Sequence, residues 1–231
     1  MRHRATAARG FTLVELLVAI ALLSLVAVLG FRGLDGMLRT RDTLSTRSTQ
    51  LDALQVALSQ WTTDLDLLQT LPGHPSLDWN GQVLRILRRS PQGPEAGMQV
   101  VAWSSRIVEG APHWLRWQSP PVTTRGDLVQ TWEQAAQWAQ SPLPALRLRE
   151  TVIVPLAGWR LYYFREDAWT NPLSSDARQA PPANAGQGAN IAATTDIPQG
   201  VRLELQLPDT AVLPGTLTRD WVRPTVSGGK S

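Results

Sequence analysis

The sequence predicts an α+β protein in which a long N-terminal helix packs on an antiparallel β-sheet head. Three observations carry this reading. Residues Phe11 to Phe31 form one apolar run whose single charge is Glu15, and about 20 such residues cross a bilayer as a helix. Leu51, Leu54, Leu58, Trp61, Leu65 and Leu68 then recur at spacings of 3, 4, 3, 4 and 3, which lines one face of a continuing helix. Beyond Gly73 the pattern changes to short β-rich runs between Gly and Pro breaks.

Composition narrows the function classes. With 231 residues, 43% hydrophobic and 18% charged, the chain is long and apolar enough for a packed core and is not globally disordered. The net charge of +3 and the basic isoelectric point near 10.1 invite a nucleic-acid reading. However, Arg2, Arg4 and Arg9 supply the whole excess, and without them the two signs balance. A phosphate-binding surface needs a basic stripe, and none is present, so no nucleic-acid partner is expected. The absence of cysteine excludes disulfides, thiolate zinc sites and cysteine nucleophiles.

The first element, residues 1–10, is a basic leader ending in Gly10. The second, 11–31, is the apolar span. An ordinary secretory signal has a core of about 7–15 residues followed by a small-residue cleavage site. This run is longer, although Ala27-Val28-Leu29-Gly30 keeps a cleaved signal open as an alternative. Arginines lie on both sides of the span, at Arg2, Arg4 and Arg9 and again at Arg32, Arg39, Arg41 and Arg47, so charge alone does not orient it. A carboxylate inside a span costs on the order of 2.5–3.5 kcal/mol, so Glu15 calls for a partner or for a position near the interface.

The third element, 32–71, is a stem helix expected to stop at Pro72-Gly73. Its seam suits packing on a head better than a coiled coil, because it runs for under three heptads. Asp52, Gln55, Ser59, Asp64 and Asp66 are expected on its solvated face. Gly30, Gly33 and Gly36 read either as a soft hinge or as small residues for close helix packing.

The fourth element, 72–226, is the head. Candidate strands are Gln82–Arg88, Met98–Val108, Trp114–Gln118, Leu128–Trp132, Leu146–Val154, Trp159–Arg165, Val201–Leu207 and Thr216–Val222, with a short helix around Glu133–Ala139. The run from Val201 to Leu207 alternates cleanly and should be half-buried. Asn171–Asp196 reads as a long surface loop, and 227–231 as a disordered tail. The ten tryptophans suit a core, with a partner-binding patch as the alternative.

Residues suited to chemistry are scarce. His74 and His113 are isolated, and His3 lies in the leader. No metal-ligand spacing or nucleophile elbow occurs, and Gly228-Gly229-Lys230-Ser231 lacks the helix that a phosphate loop needs. No catalytic residue, metal or cofactor is expected, and the chain is not expected to be an enzyme.

The run Arg9-Gly10-Phe11-Thr12-Leu13-Val14-Glu15-Leu16-Leu17 resembles the prepilin leader and cleavage motif of type IV pilins and pseudopilins. The resemblance implies cleavage by prepilin peptidase between Gly10 and Phe11, N-methylation of Phe11, and a role for Glu15 in assembly through the Phe11 ammonium of a neighbouring subunit. It also implies a single-pass inner-membrane protein with a periplasmic head. Major pilins carry a Pro where Arg32 stands here, which points to a minor subunit. Phe31-Arg32-Gly33-Leu34-Asp35-Gly36, Thr63-Asp64-Leu65, Gly158-Trp159-Arg160-Leu161-Tyr162-Tyr163 and Pro198-Gln199-Gly200-Val201-Arg202-Leu203-Glu204-Leu205 resemble the J-type minor pseudopilin of type II secretion. That likeness implies a head of two packed sheets, with I-type and K-type minor pseudopilins and the major pseudopilin as partners. Two alternatives stay open. One is a minor pilin of a type IV pilus, and the other is a periplasmic ligand-binding domain behind a signal peptide.

Overall fold

The computed structural model describes residues 12–165, 167–173 and 197–224. The leader with Gly10 and Phe11, most of the Asn171–Asp196 loop, and the tail at 227–231 lie outside the described residues. The chain divides into two compact units, Met1–Thr49 and Gln50–Ser231.

In the first unit every described residue from Leu13 onward is helical, in α1 (Leu13–Asp66). This helix is long and apolar enough to cross a membrane, with a mean hydropathy of 2.7 over its best stretch. After the apolar stretch, Thr40, Thr43, Thr46 and Thr49 each donate a hydroxyl hydrogen bond to a carbonyl one turn back, so these polar side chains are satisfied within their own helix. Helix α1 runs unbroken through Gly30, Gly33 and Gly36, and a Cβ at each would meet nothing within 4 Å. No contact among the described residues therefore demands glycine at these three positions.

The second unit takes the last turns of α1 and folds two antiparallel sheets with them. Sheet 1 has the order β1 (Leu77–Trp79), β2 (Val83–Arg89), β3 (Met98–Val108), β4 (Ala111–Gln118) and β5 (Glu150–Pro155). Sheet 2 has the order β7 (Ala168–Thr170), β6 (Gly158–Arg165), β8 (Gly200–Leu207) and β9 (Gly215–Val222). Between β4 and β5 lie α2 (Arg125–Gln140) and the short α3 (Pro144–Arg147). This is the α+β, two-sheet architecture expected.

Burial explains the patterns in the strands. Leu84, Ile86, Val101, Trp103 and Trp114 join a core with Leu54, Trp61 and Leu65 of α1 and Leu161, Val201, Leu203 and Leu205 of sheet 2. The opposite face of sheet 1, with Val83, Leu87, Val100, Ala102, Leu115 and Trp117, packs on Leu128, Trp132, Ala135 and Trp138 of α2. Both faces of sheet 1 are covered, so its strands read as continuous apolar runs. Strand β8 buries one face only and keeps a clean alternation. Seven of the ten tryptophans are buried, among them Trp61, Trp103 and Trp114 in mutual contact with ring centroids 4.5–6.0 Å apart.

Four expectations need correction. The stem helix stops at Asp66, not near Leu71. The Gln69 N–H donates to the Leu87 carbonyl and the Arg89 N–H to the Leu67 carbonyl, both at 2.9 Å, so β2 draws the chain out of the helix before Pro72. Leu128–Trp132 is not a strand but lies inside α2. The Thr124 hydroxyl caps that helix by accepting from the Asp127 N–H, and its buried side chains recur every three or four residues. The strand expected at Leu146–Val154 begins only at Glu150, because Pro144 opens a helical turn. Asp64, expected in solvent, is fully buried. The short strands β1 and β7 had no signal in the sequence.

Two local features yield predictions. Gly97 has φ +80°, and a Cβ there would meet the Val122 carbonyl oxygen and the Thr123 methyl group. Gly97→Ala should therefore lower stability by about 1–3 kcal/mol, measured by chemical denaturation. The second feature is buried His74, whose ring stands edge-on to Trp132 at 4.9 Å and bonds through Nδ1 to the Pro75 carbonyl. Burial pushes its imidazole below the ordinary value of 6.5. The Pro75 bond opposes this shift, while Arg125 and Arg85 reinforce it. The unfolded chain then takes up the proton first, so stability is full above the ordinary histidine value and declines as pH falls below it. His74→Phe should flatten the loss of thermal stability between about pH 7 and pH 5. An unchanged slope would show that His74 is not its source.

Candidate functional site

Two carboxylates stand out, one in each unit. The first is Glu15, in the first turn of α1. Its Oε2 accepts from the Thr12 N–H at 3.0 Å and from the Thr12 hydroxyl at 2.8 Å, while its own N–H donates to Thr12 Oγ1 at 3.3 Å. This is a reciprocal capping box, in which a Thr and a Glu three residues later satisfy each other's backbone donors. The sequence reading sought a partner for Glu15 outside its own chain. The structure supplies one inside it, and the signal was legible as Thr-x-x-Glu before an apolar run. The carboxylate also sits where the positive end of the helix dipole favours it.

The second is Asp64, near the end of α1 and fully buried beneath sheet 1. Its Oδ1 accepts from Gln60 Nε2 at 2.9 Å, Arg88 at 2.8 Å and Arg116 at 2.9 Å. Its Oδ2 accepts from Arg116 Nε at 2.8 Å and Trp103 Nε1 at 2.9 Å. One carboxylate thus receives five hydrogen bonds and two guanidinium charges, with Arg88 itself only 3% exposed. Arg88 is held below the ordinary guanidinium value, chiefly by burial. Asp64 opposes this shift, and the neighbouring Arg116 adds to it. Arg88 also reaches Gln99 and Gln118. Two residues on, Asp66 accepts from Trp221 Nε1 of β9 at 2.8 Å. The last turn of α1 is therefore bolted to β2, β3 and β4 of one sheet and to β9 of the other. No local sequence signal marked Asp64 as buried, since its partners outside α1 lie 24 to 52 residues away.

The site residues read from the sequence are thus divided. Glu15 sits at the start of α1, while Gly10 and Phe11 precede the described residues. Among the described residues no group of three or more His, Asp or Glu is placed to hold a metal ion.

Comparison with known proteins gives three findings. Residues 6–31 match the family model described as the prokaryotic N-terminal methylation motif. No curated protein matches the chain. Among solved structures, the chain is similar to one in the crystal structure of the GspK-GspI-GspJ complex from the enterotoxigenic Escherichia coli Type 2 Secretion System. The two share 19% identity over 76% of this chain and 99% of that one, with a TM-score of 0.44. The chain is an α+β protein that carries the prokaryotic N-terminal methylation motif.

Proposed function

We propose that this chain is a minor pseudopilin of the type II protein secretion system, of the J-type. It is anchored by α1 in the bacterial inner membrane with its head in the periplasm. The observation that carries this reading is the methylation motif over residues 6–31, leading directly into an apolar helix that ends bolted to a two-sheet head. In this reading prepilin peptidase cuts between Gly10 and Phe11, Phe11 is N-methylated, and the chain enters a pseudopilus tip with I-type and K-type minor pseudopilins above the major pseudopilin. Assembly and exoprotein export then follow from packing and charge pairing, and the chain performs no catalysis of its own. The order of sequence motifs from Phe31 to Leu205 supports the J-type assignment over other pilin-like subunits.

Two measurements test the proposal. Mass spectrometry of the native protein should find a methylated Phe11 as the first residue; a start near residue 31 would overturn the pilin-like reading. Deleting the chain should abolish export of secreted proteins and leave twitching and surface pili intact. The reverse result would make it a minor pilin of a type IV pilus.

A further inference from the structure

Helix α1 is held at both ends by its surroundings and in the middle by little besides its own hydrogen bonds. At one end Leu54, Trp61 and Leu65 are buried in the head core, and Asp64 and Asp66 are bonded to strands of both sheets. At the other, in the reading proposed above, the apolar stretch to Phe31 lies in a bilayer, where an opened backbone leaves its polar groups unsatisfied. Between the two ends runs Thr40-Arg41-Asp42-Thr43-Leu44-Ser45-Thr46-Arg47-Ser48-Thr49. All ten residues are helical, and all are exposed among the described residues.

Composition makes this stretch weak as a helix. Seven of its ten residues are Thr, Ser or Asp. These rank low as helix formers, because a side chain branched at Cβ loses rotamer freedom and a short polar one competes for backbone groups. Thr40, Thr43, Thr46 and Thr49 bond back to carbonyls one turn earlier at 2.9–3.0 Å, an arrangement that slightly destabilises and bends helices. Propagation in water is near neutral even for good helix formers, so this stretch is helical chiefly because its ends are. Gly33 and Gly36 are poor helix formers too, but the Asp35–Arg39 ion pair spans the turn that holds Gly36. Local opening is easiest where buried apolar contacts are few and backbone hydrogen bonds face solvent, and residues 40–49 meet both conditions.

We propose that residues 40–49 are an extensible joint in α1, which opens from helix to extended chain when the helix is pulled along its axis and recloses on release, while the head stays folded. The proposal rests on the reading of α1 as a membrane anchor, which supplies the fixed end. Ten residues rise about 15 Å as a helix and about 33 Å when extended, so opening adds about 18 Å. The hydrogen bonds it breaks are exposed, so water replaces them. Reclosing extends helix from two intact ends and needs no new nucleus. The joint yields before the head does, because freeing the last turns of α1 strips five hydrogen bonds from buried Asp64.

Hydrogen exchange of the full-length chain in lipid nanodiscs tests the joint. The amides of residues 44–49 should exchange at least about 100-fold faster than those of residues 58–65 and 17–29. Thr40→Ala, Thr43→Ala, Thr46→Ala and Thr49→Ala together change only exposed side chains, so the head is kept, and they should slow the 44–49 amides at least about tenfold. Gly33→Ala with Gly36→Ala should change those amides by less than about twofold. Pulling the head away from the nanodisc in optical tweezers should give a reversible lengthening of about 18 Å before the head unfolds, at lower force in the native chain than in the four-alanine variant. Exchange at 44–49 as slow as at 58–65 would overturn the joint and leave the membrane anchor standing. Equally fast exchange at 17–29 would overturn both, since the opening then has no fixed end. Exchange unaltered by the four alanines, or slowed as much by the two glycine substitutions, would overturn the assignment to residues 40–49.

Discussion

Asp64→Ala will destabilise the head by about 3–5 kcal/mol, the loss expected when one partner of a buried ion pair is removed and the other charges stay behind. The carboxylate is fully buried and is bonded to both Arg88 and Arg116. Without it, two guanidinium groups are left side by side, with the Gln99 and Gln118 side-chain oxygens accepting only from Arg88. Asn at this position keeps the shape and part of the hydrogen bonding but none of the charge, so Asp64→Asn should fall between Ala and the native residue. The informative companion is the triple variant Asp64→Leu with Arg88→Met and Arg116→Met. Replacing a whole buried ionic group by apolar residues of similar volume is often neutral or stabilising, so this variant should recover most of the loss. Urea denaturation of the full chain, followed by tryptophan fluorescence, reads both effects, because Trp103 donates directly to Asp64. A single variant as stable as the native chain would show that the cluster is not the anchor that the geometry describes.

Glu15→Ala will abolish incorporation of the chain into a filament, and the neighbouring side chains allow its two roles to be separated. One is local: the capping box with Thr12, whose loss costs the helix start about 1 kcal/mol. The other is the proposed pairing of the carboxylate with the Phe11 ammonium of an adjacent subunit, which requires charge. Thr12→Ala keeps the charge and removes the hydroxyl, so it should weaken assembly only mildly. Glu15→Gln keeps an oxygen that can accept from the Thr12 N–H but removes the charge, so it should be nearly as defective as Glu15→Ala. Incorporation measured by shearing and immunoblot decides between the roles. Wild-type assembly by Glu15→Gln, together with a severe defect in Thr12→Ala, would assign Glu15 to capping alone.

Local patterns were legible where one residue's neighbours in sequence are also its neighbours in space. Of the helical seam, Leu54, Trp61 and Leu65 are buried and Leu58 packs partly buried against the same core, as the spacing required. Leu51, at the end of the same seam, is 37% exposed, because the periodicity continues past the point where the sheets begin to cover the helix. The alternation of β8 survives in its burial. The run Leu128–Trp132 misled because Leu, Val, Thr and Trp in succession suit a strand, and the cap at Thr124 that commits them to a helix lies outside the run. The end of the stem was misplaced because Pro72 is a breaker any reader sees, whereas the pull of β2 on Leu67 and Gln69 is visible only once the strands are assembled.

From its amino acids alone the chain specified a helix able to cross a membrane, a methylation motif at the start of that helix, and an α+β head. All of these depend on residues within a few turns or strand lengths of one another, which is the range over which periodicity and capping act. Only the folded head decided that Asp64 is an interior anchor and that seven tryptophans are core. Burial and charge pairing are set by residues dozens of positions apart, and they exist only once the two sheets have closed on the helix.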